Sequence, residues 1–196
     1  MSAHREAAYQ HVRDEKPLVV IGSPPCTPFS QLQTLNPDTP QKRKNLKEGE
    51  DHMRCMISIY KMQVEEGRIF LHEHPSHAKS WHMKEVRSLM ATQGVALVEA
   101  DQCMYGLKTW SANGAKLSLA KKPTIFMTNS RAMGRELERK CNGAHEHQPL
   151  LDGRASAAAR YPQGLCRAIC RGIVKAKMER EKGIRAVMEI APEQSG

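Results

Sequence analysis

Apolar positions along the chain alternate between continuous runs and a helical spacing, and the switches mark out successive elements. Leu18-Val19-Val20-Ile21 is an unbroken apolar run bounded by turn residues, as expected of a strand covered on both faces. Before it, residues 3–14 read as a short helix that stops at Lys16-Pro17, because the residue before proline avoids helical geometry. A loop rich in Pro, Thr, Ser and Asn follows, from Gly22 to Pro40. Met53, Met56, Ile57, Tyr60 and Val64 then form one apolar helical face, closed off by Gly67.

Arg68-Ile69-Phe70-Leu71-His72 predicts a second strand, which runs straight into Glu73-His74-Pro75. Residues 78–92 predict a helix with Trp81, Val86, Leu89 and Met90 inward, and Val95-Ala96-Leu97-Val98 predicts a third strand. The stretch holding Met104-Tyr105-Gly106-Leu107 reads as one long loop before a fourth strand, Thr124-Ile125-Phe126-Met127. Strands alternating with amphipathic helices predict an α/β fold, a Rossmann-like and largely parallel sheet with flanking helices. The Leu18, Arg68 and Val95 strands are expected to be adjacent in it. This core is placed over residues 1–130, with a C-terminal extension over 131–196. The extension carries a short helix at 131–140 and a polar loop, Cys141-Asn142-Gly143-Ala144-His145-Glu146-His147. A further helix opens at Tyr161-Pro162, with Leu165, Ile169 and Ile173 on one face, and runs into a charged stretch.

Composition narrows the partners. No apolar run is long enough to span a bilayer, and Met1–Glu6 lacks the apolar stretch of a secretory signal, so an intracellular protein is expected. The net charge of +9 favours polyanions, since neutralising phosphates releases counterions. Lys42, Arg43, Lys44 and Lys47 suit either phosphates beside Cys26 or a solvated basic turn. Six cysteines without a disulfide-like spacing suit thiol chemistry or metal ligation.

Two groups of residues carry candidate chemistry. In open parallel sheets, ligands gather at the carboxyl ends of strands. Cys26, in Gly22-Ser23-Pro24-Pro25-Cys26-Thr27-Pro28-Phe29-Ser30, and Glu73 both stand just past such ends. A cysteine beside a rigid proline turn is placed to act as a nucleophile, with a buried cysteine in a proline-rich connection as the competing reading. The second group is Cys141, His145 and His147, with Cys103, Cys166 and Cys170 as possible additions. Thiol and imidazole suit tetrahedral zinc, and a solvated polar loop is the competing reading. Cys166 and Cys170 lie on one helical face, either as ligands or as a core stripe. His72 and His74 share a strand face, so a metal near them is a further option.

The Pro-Pro-Cys loop resembles the DNA cytosine-C5 methyltransferase family, from that loop onward. The family has Pro-Pro-Cys-Gln followed by Phe-Ser; this chain keeps Pro24, Pro25, Cys26, Phe29 and Ser30, with Thr27 in place of Gln. Glu73 stands where the family has the Glu of Glu-Asn-Val, and His74 and Pro75 replace the Asn and Val. Met104-Tyr105-Gly106-Leu107 is similar to the family's Tyr-Gly-Val-Pro-Gln element, whose basic role would fall to Lys121 and Lys122. Tyr161-Pro162 resembles the start of its C-terminal helix.

The resemblance implies methyl transfer from S-adenosylmethionine to a flipped cytosine, with Cys26 attacking C6 and Glu73 holding the N3/N4 edge. Pro24, Pro25, Thr27, Phe29, Ser30 and His74 would line the substrate site. The family's glycine-rich cofactor half has no counterpart before Leu18, so a second chain or an upstream domain is expected to supply it. The alternatives are a non-catalytic nucleic-acid-binding module, or a zinc-stabilised interaction module, derived from the same fold.

Overall fold

The computed structural model describes residues 2–111, 113–150 and 158–190, with side chains to 183. In chain order the elements are α1 (Ala3–Glu15), β1 (Val19–Gly22), α2 (Pro40–Glu65), β2 (Ile69–Pro75), α3 (Lys84–Met90) and β3 (Ala96–Asp101). Then come β4 (Lys108–Trp110), β5 (Leu117–Leu119), β6 (Pro123–Thr128), α4 (Arg131–Leu137) and α5 (Gln163–Ile190). Among the described residues no helix is long and apolar enough to cross a membrane.

The fold is mixed α/β. β1, β2, β6 and β3 form one sheet in that order. β1 and β2 pair in parallel, as expected, from Val19 opposite Ile69 to Gly22 opposite His72. The expectation of a largely parallel sheet is corrected at β6, which pairs antiparallel with both β2 and β3. The Ala96–Asp101 strand shares the direction of β1 and β2 but is not their neighbour, because β6 lies between. The reason is the connection. A parallel return needs a crossover, usually a helix, whereas β3 and β6 are joined through the β4–β5 hairpin. The hairpin stands where a single long loop is expected, and Asn113-Gly114 is a strong hairpin signal between Lys108-Thr109-Trp110 and Leu117-Ser118-Leu119. The expected helix at 78–92 is also divided, into a 3-10 turn at Lys79–His82 and α3.

Each face of the sheet buries its own core, and β2 serves both by period-two alternation. On one side Phe70 and Met127 meet Met53, Ile57 and Tyr60 of α2, with Trp81, Val86 and Leu89. On the other, Leu71 and Phe126 meet Met133 and Leu137 of α4, with Leu165, Ala168 and Ile169 of α5. His72 and His74 therefore face α2, while Glu73 faces α5. α2 starts where the residues dictate: Pro40 occupies the first turn and the Thr39 hydroxyl accepts from the Lys42 N–H. The basic residues Lys42, Arg43, Lys44 and Lys47 lie inside its exposed first turns.

One glycine sets how the cysteine loop leaves the sheet. A Cβ on Gly22 would lie 1.8 Å from the Tyr60 hydroxyl and 2.4 Å from Met56 Cε, so only glycine lets β1 end against α2. The loop then turns through Thr27–Phe29 and seats Phe29 in the α2 core at 2% exposure.

Candidate active site and metal centre

Glu73 comes at the end of β2, where the alternation that buries Leu71 turns its carboxylate into the same face, 3% exposed. A buried carboxylate needs partners, and here they come from four other segments. The Ser23 hydroxyl, in the cysteine loop, donates to Oε2 at 2.7 Å, and the Tyr161 hydroxyl donates to the same oxygen at 3.1 Å. Gln102 Nε2 donates to Oε1 at 3.4 Å and to Thr124 Oγ1 at 3.0 Å. Lys122 Nζ lies 3.6 Å from Oε1, with only 17% of its side chain exposed, and supplies the compensating charge. Tyr161 is pushed upward from the ordinary phenol range, by burial first and then by the Glu73 charge, so it stays a neutral donor.

Cys26 lies three residues beyond Ser23, and three residues of backbone reach at most about 11 Å. It is half-buried and its thiol is free. The loop also closes on the far side of β2, where the carbonyls of Pro24 and Pro25 lie against the His74 ring. Thr27 and Pro28, with Pro25, form one wall of a cavity of about 730 Å³ between this loop and the start of α2. Phe29 meets His74 edge-on with ring centroids 5.8 Å apart, and Ser30 caps the next turn by accepting from the Leu32 N–H.

His72 and His74 are fully buried. His72 Nδ1 is 3.2 Å from the Tyr60 hydroxyl, and His74 Nδ1 is 2.6 Å from Ser80 Oγ. Neither Nε2 has a hydrogen-bond partner among the described residues. Burial pushes His72 down to about 3, helped by its neighbour His74. Burial likewise pushes His74 down to about 4, against the pull of Glu73. Both are neutral core residues at ordinary pH. No third donor joins them among the described residues, so the option of a metal beside this strand lacks its ligands.

The two candidate lysines part company. Lys122 reaches Glu73, whereas Lys121 lies 3.8 Å from Asp101 Oδ2. The same Asp101 oxygen accepts from the Cys141 backbone N–H at 2.8 Å, which ties Lys121 to the second group.

That second group assembles from three segments. Cys103 sits in the turn after β3, Cys141 just after α4, and His145 and His147 on the following loop. The chain past α4 runs beside β3, where the Asp101 N–H donates to the Arg139 carbonyl at 2.8 Å, and this brings Cys141 to Cys103. Beyond the loop, the Gln148 N–H donates to the Leu119 carbonyl at 2.7 Å and holds the histidines in place.

The four donor atoms lie within 4.8 Å of one another. Cys141 Sγ is 3.6 Å from His145 Nε2 and 3.5 Å from His147 Nε2. With metal–sulfur near 2.3 Å and metal–nitrogen near 2.1 Å, a tetrahedral zinc ion would hold sulfur and nitrogen about 3.6 Å apart. The Gly143 N–H points at Cys141 Sγ at 3.4 Å, which favours the thiolate. With protons alone at the cluster, burial, followed by the adjacent Cys141 thiol, pushes Cys103 up to about 11. A divalent cation inverts that preference, because the thiolate is the ligand. The group could hold a metal ion. Cys166 and Cys170 are exposed thiols and belong neither to this cluster nor to a core stripe.

No family model, curated protein or solved structure matches this chain. The residues that the sequence did not single out are Ser23 and Gln102, with Tyr161 as a partner of Glu73. Ser23 adjoins the Pro-Pro-Cys motif and Gln102 adjoins Cys103, but nothing local to either one points at a carboxylate far along the chain.

Proposed function

We propose that this chain is the base-binding part of a cytosine-C5-methyltransferase-like protein acting on nucleic acid, DNA in the first instance. One observation carries the reading: the segments that bear the resemblance converge on the Glu73 carboxylate. Ser23 comes from the Pro-Pro-Cys loop, Gln102 from the segment leading to Tyr105-Gly106, Lys122 from the basic pair and Tyr161 from the start of the last helix.

In this reading a cytosine leaves its stack and its N3/N4 edge takes the place of the Tyr161 hydroxyl at Glu73. Lys122 keeps the carboxylate charged while the edge is bound. Cys26, as thiolate, adds to C6, which makes C5 nucleophilic, and C5 first takes up a proton from water. Loss of the original C5 hydrogen and expulsion of Cys26 then regenerate cytosine.

The described residues do not fit S-adenosylmethionine. The cavity beside the cysteine loop pairs no glycine-rich turn with an acidic strand end, and β1, which leads into that loop, is an edge strand with no partner on its outer side among the described residues. A second polypeptide segment pairing with β1 would have to bring that half, and the Rossmann-like architecture would be complete only then.

Tritium release from DNA carrying 5-tritiated cytosine tests the reading without cofactor. The native chain should release tritium to water, and Cys26→Ser should reduce the rate to background while leaving DNA binding in place. Native protein that binds DNA but releases nothing would replace this reading with the non-catalytic binding module. Release undiminished by Cys26→Ser would remove the nucleophile.

For the second group, zinc is the metal that two thiolates and two imidazoles suit best. Its role in this reading is structural: it ties the turn after β3 to the segment after α4, close to the Lys121–Asp101 pair. Four protein ligands leave no open position for substrate chemistry.

A further inference from the structure

We infer that the cavity between the Met104–Gly106 turn, the end of α4 and the first turns of α5 is a binding site for a phosphate group. The cavity measures about 500 Å³ and is lined by Arg139, Arg167 and Arg171, with Glu136 as its only acid. Glu136 is already neutralised: Arg171 Nε donates to it at 2.8 Å, and Lys175 pairs with its other oxygen. Arg139 and Arg167 have no carboxylate partner among the described residues. The Arg139 guanidinium instead lies over the Tyr105 ring, 5.5 Å from its centroid. Two guanidinium groups converging on one hollow without a counter-ion match a tetrahedral oxyanion, which takes paired N–H donors from each.

The backbone adds to this. Gly164 belongs to the first turn of α5, at the positive end of the helix dipole; there the Leu165 and Cys166 N–H groups donate to the Pro162 carbonyl at 2.9 and 3.2 Å, so the turn offers a ligand the N–H groups of Gln163 and Gly164. A Cβ at Gly164 would lie 2.4 Å from the Tyr105 carbonyl oxygen, so glycine is what allows this turn to form the cavity wall. Tyr105 in turn anchors α4, its hydroxyl donating to the Leu137 carbonyl at 2.8 Å. The metal cluster flanks the same cavity, because Cys103 immediately precedes Met104 and Cys141 follows Arg139 by two residues. A bound cation would hold the two walls, and with them Arg139, in register.

The phosphate could belong to a polynucleotide backbone or to a small phosphorylated molecule. Pyrophosphate and a short DNA duplex, titrated separately by calorimetry, distinguish the two sources. Arg167→Gln and Arg139→Gln are the test variants, both on exposed side chains, and Lys84→Gln on α3, also exposed, is the control of equal charge change. Pyrophosphate should bind the native chain, and each arginine variant should weaken it by at least about tenfold, with the control changing less than about twofold. If the duplex is the source, the variants should also lower the salt dependence of its binding by about one phosphate each. Pyrophosphate binding without duplex binding assigns the site to a small ligand. Failure of both probes to bind, or an equal loss in the Lys84 control, would overturn the site. No reaction at Cys26 is read, so the result is independent of the function proposed above.

Discussion

Glu73 stands among four side-chain partners and Cys141 among three, and the partners are opposite in kind. Around Glu73 every neighbour is a donor or a cation, so the one negative charge is matched in place. Around Cys141 the neighbours are a second thiol and two imidazoles, all bearers of lone pairs. Protons can link such a group only two at a time, and a cation links all four. The first arrangement is complete with the protein's own atoms, and the second could hold a metal ion from outside. Their scaffolds differ accordingly. Glu73 is fixed by the register of a sheet, whereas Cys141 and the histidines ride on a loop that contact with Cys103 can organise.

The largest expected effect separates the two regions directly. Protein purified without added metal should contain zinc at a ratio near one, measured by plasma mass spectrometry. Cys141→Ser removes the sulfur that touches both histidines and should lower zinc affinity by more than about 100-fold. It should also lower the melting temperature, while Glu73→Ala leaves the zinc content intact. A ratio near zero, with melting unchanged by chelator, would remove the contrast.

Acid acts on the opposite side of β2. Because His72 and His74 stay neutral in the fold down to about 3 and about 4, the unfolded chain binds more protons below its ordinary histidine value near 6.5. Stability is therefore present above that value and is lost as the pH falls through it toward the folded values. The loss from both histidines should be roughly 4 kcal/mol between pH 7 and pH 5. Urea melts should be run in the Cys141→Ser background, since acid also strips metal from thiolates. His72→Phe should remove about half of the pH dependence, and an unchanged slope would refute the assignment.

A smaller, graded series tests the completeness of the Glu73 group. Glu73→Ala strands Lys122 and three donors and should cost about 3 kcal/mol in chemical melts. Tyr161→Phe removes one donor among four and should cost about 1.5 kcal/mol. Equal costs for the two would mean that the tyrosine, and not the ion pair, holds the carboxylate.

How much of this was legible beforehand varies with the length scale of each cause. Phe70, His72 and His74 on one face and Leu71 and Glu73 on the other follow from strand alternation, which any local reading recovers. Cys141, His145 and His147 fall within seven residues, so their meeting was readable, while Cys103 could be named only as one cysteine among several. Asn113-Gly114 is a local hairpin signal too, and the hairpin it marks is what turns β6 antiparallel to β3.

The sequence by itself determined the four strands of the main sheet, the helices α1, α2 and α5 and the faces they bury, because those follow from spacing and side-chain chemistry within one turn or one pleat. Only the tertiary structure decided that β6 enters between β2 and β3, that Lys122 and not Lys121 reaches Glu73, and that Tyr161 completes the carboxylate's shell. Adjacent lysines on an extended chain point to opposite sides, so a shift of one residue in register exchanges them. Tyr161 is 88 residues from Glu73. Its place there depends on α5 docking against α4 and the sheet, a packing outcome that no local pattern encodes.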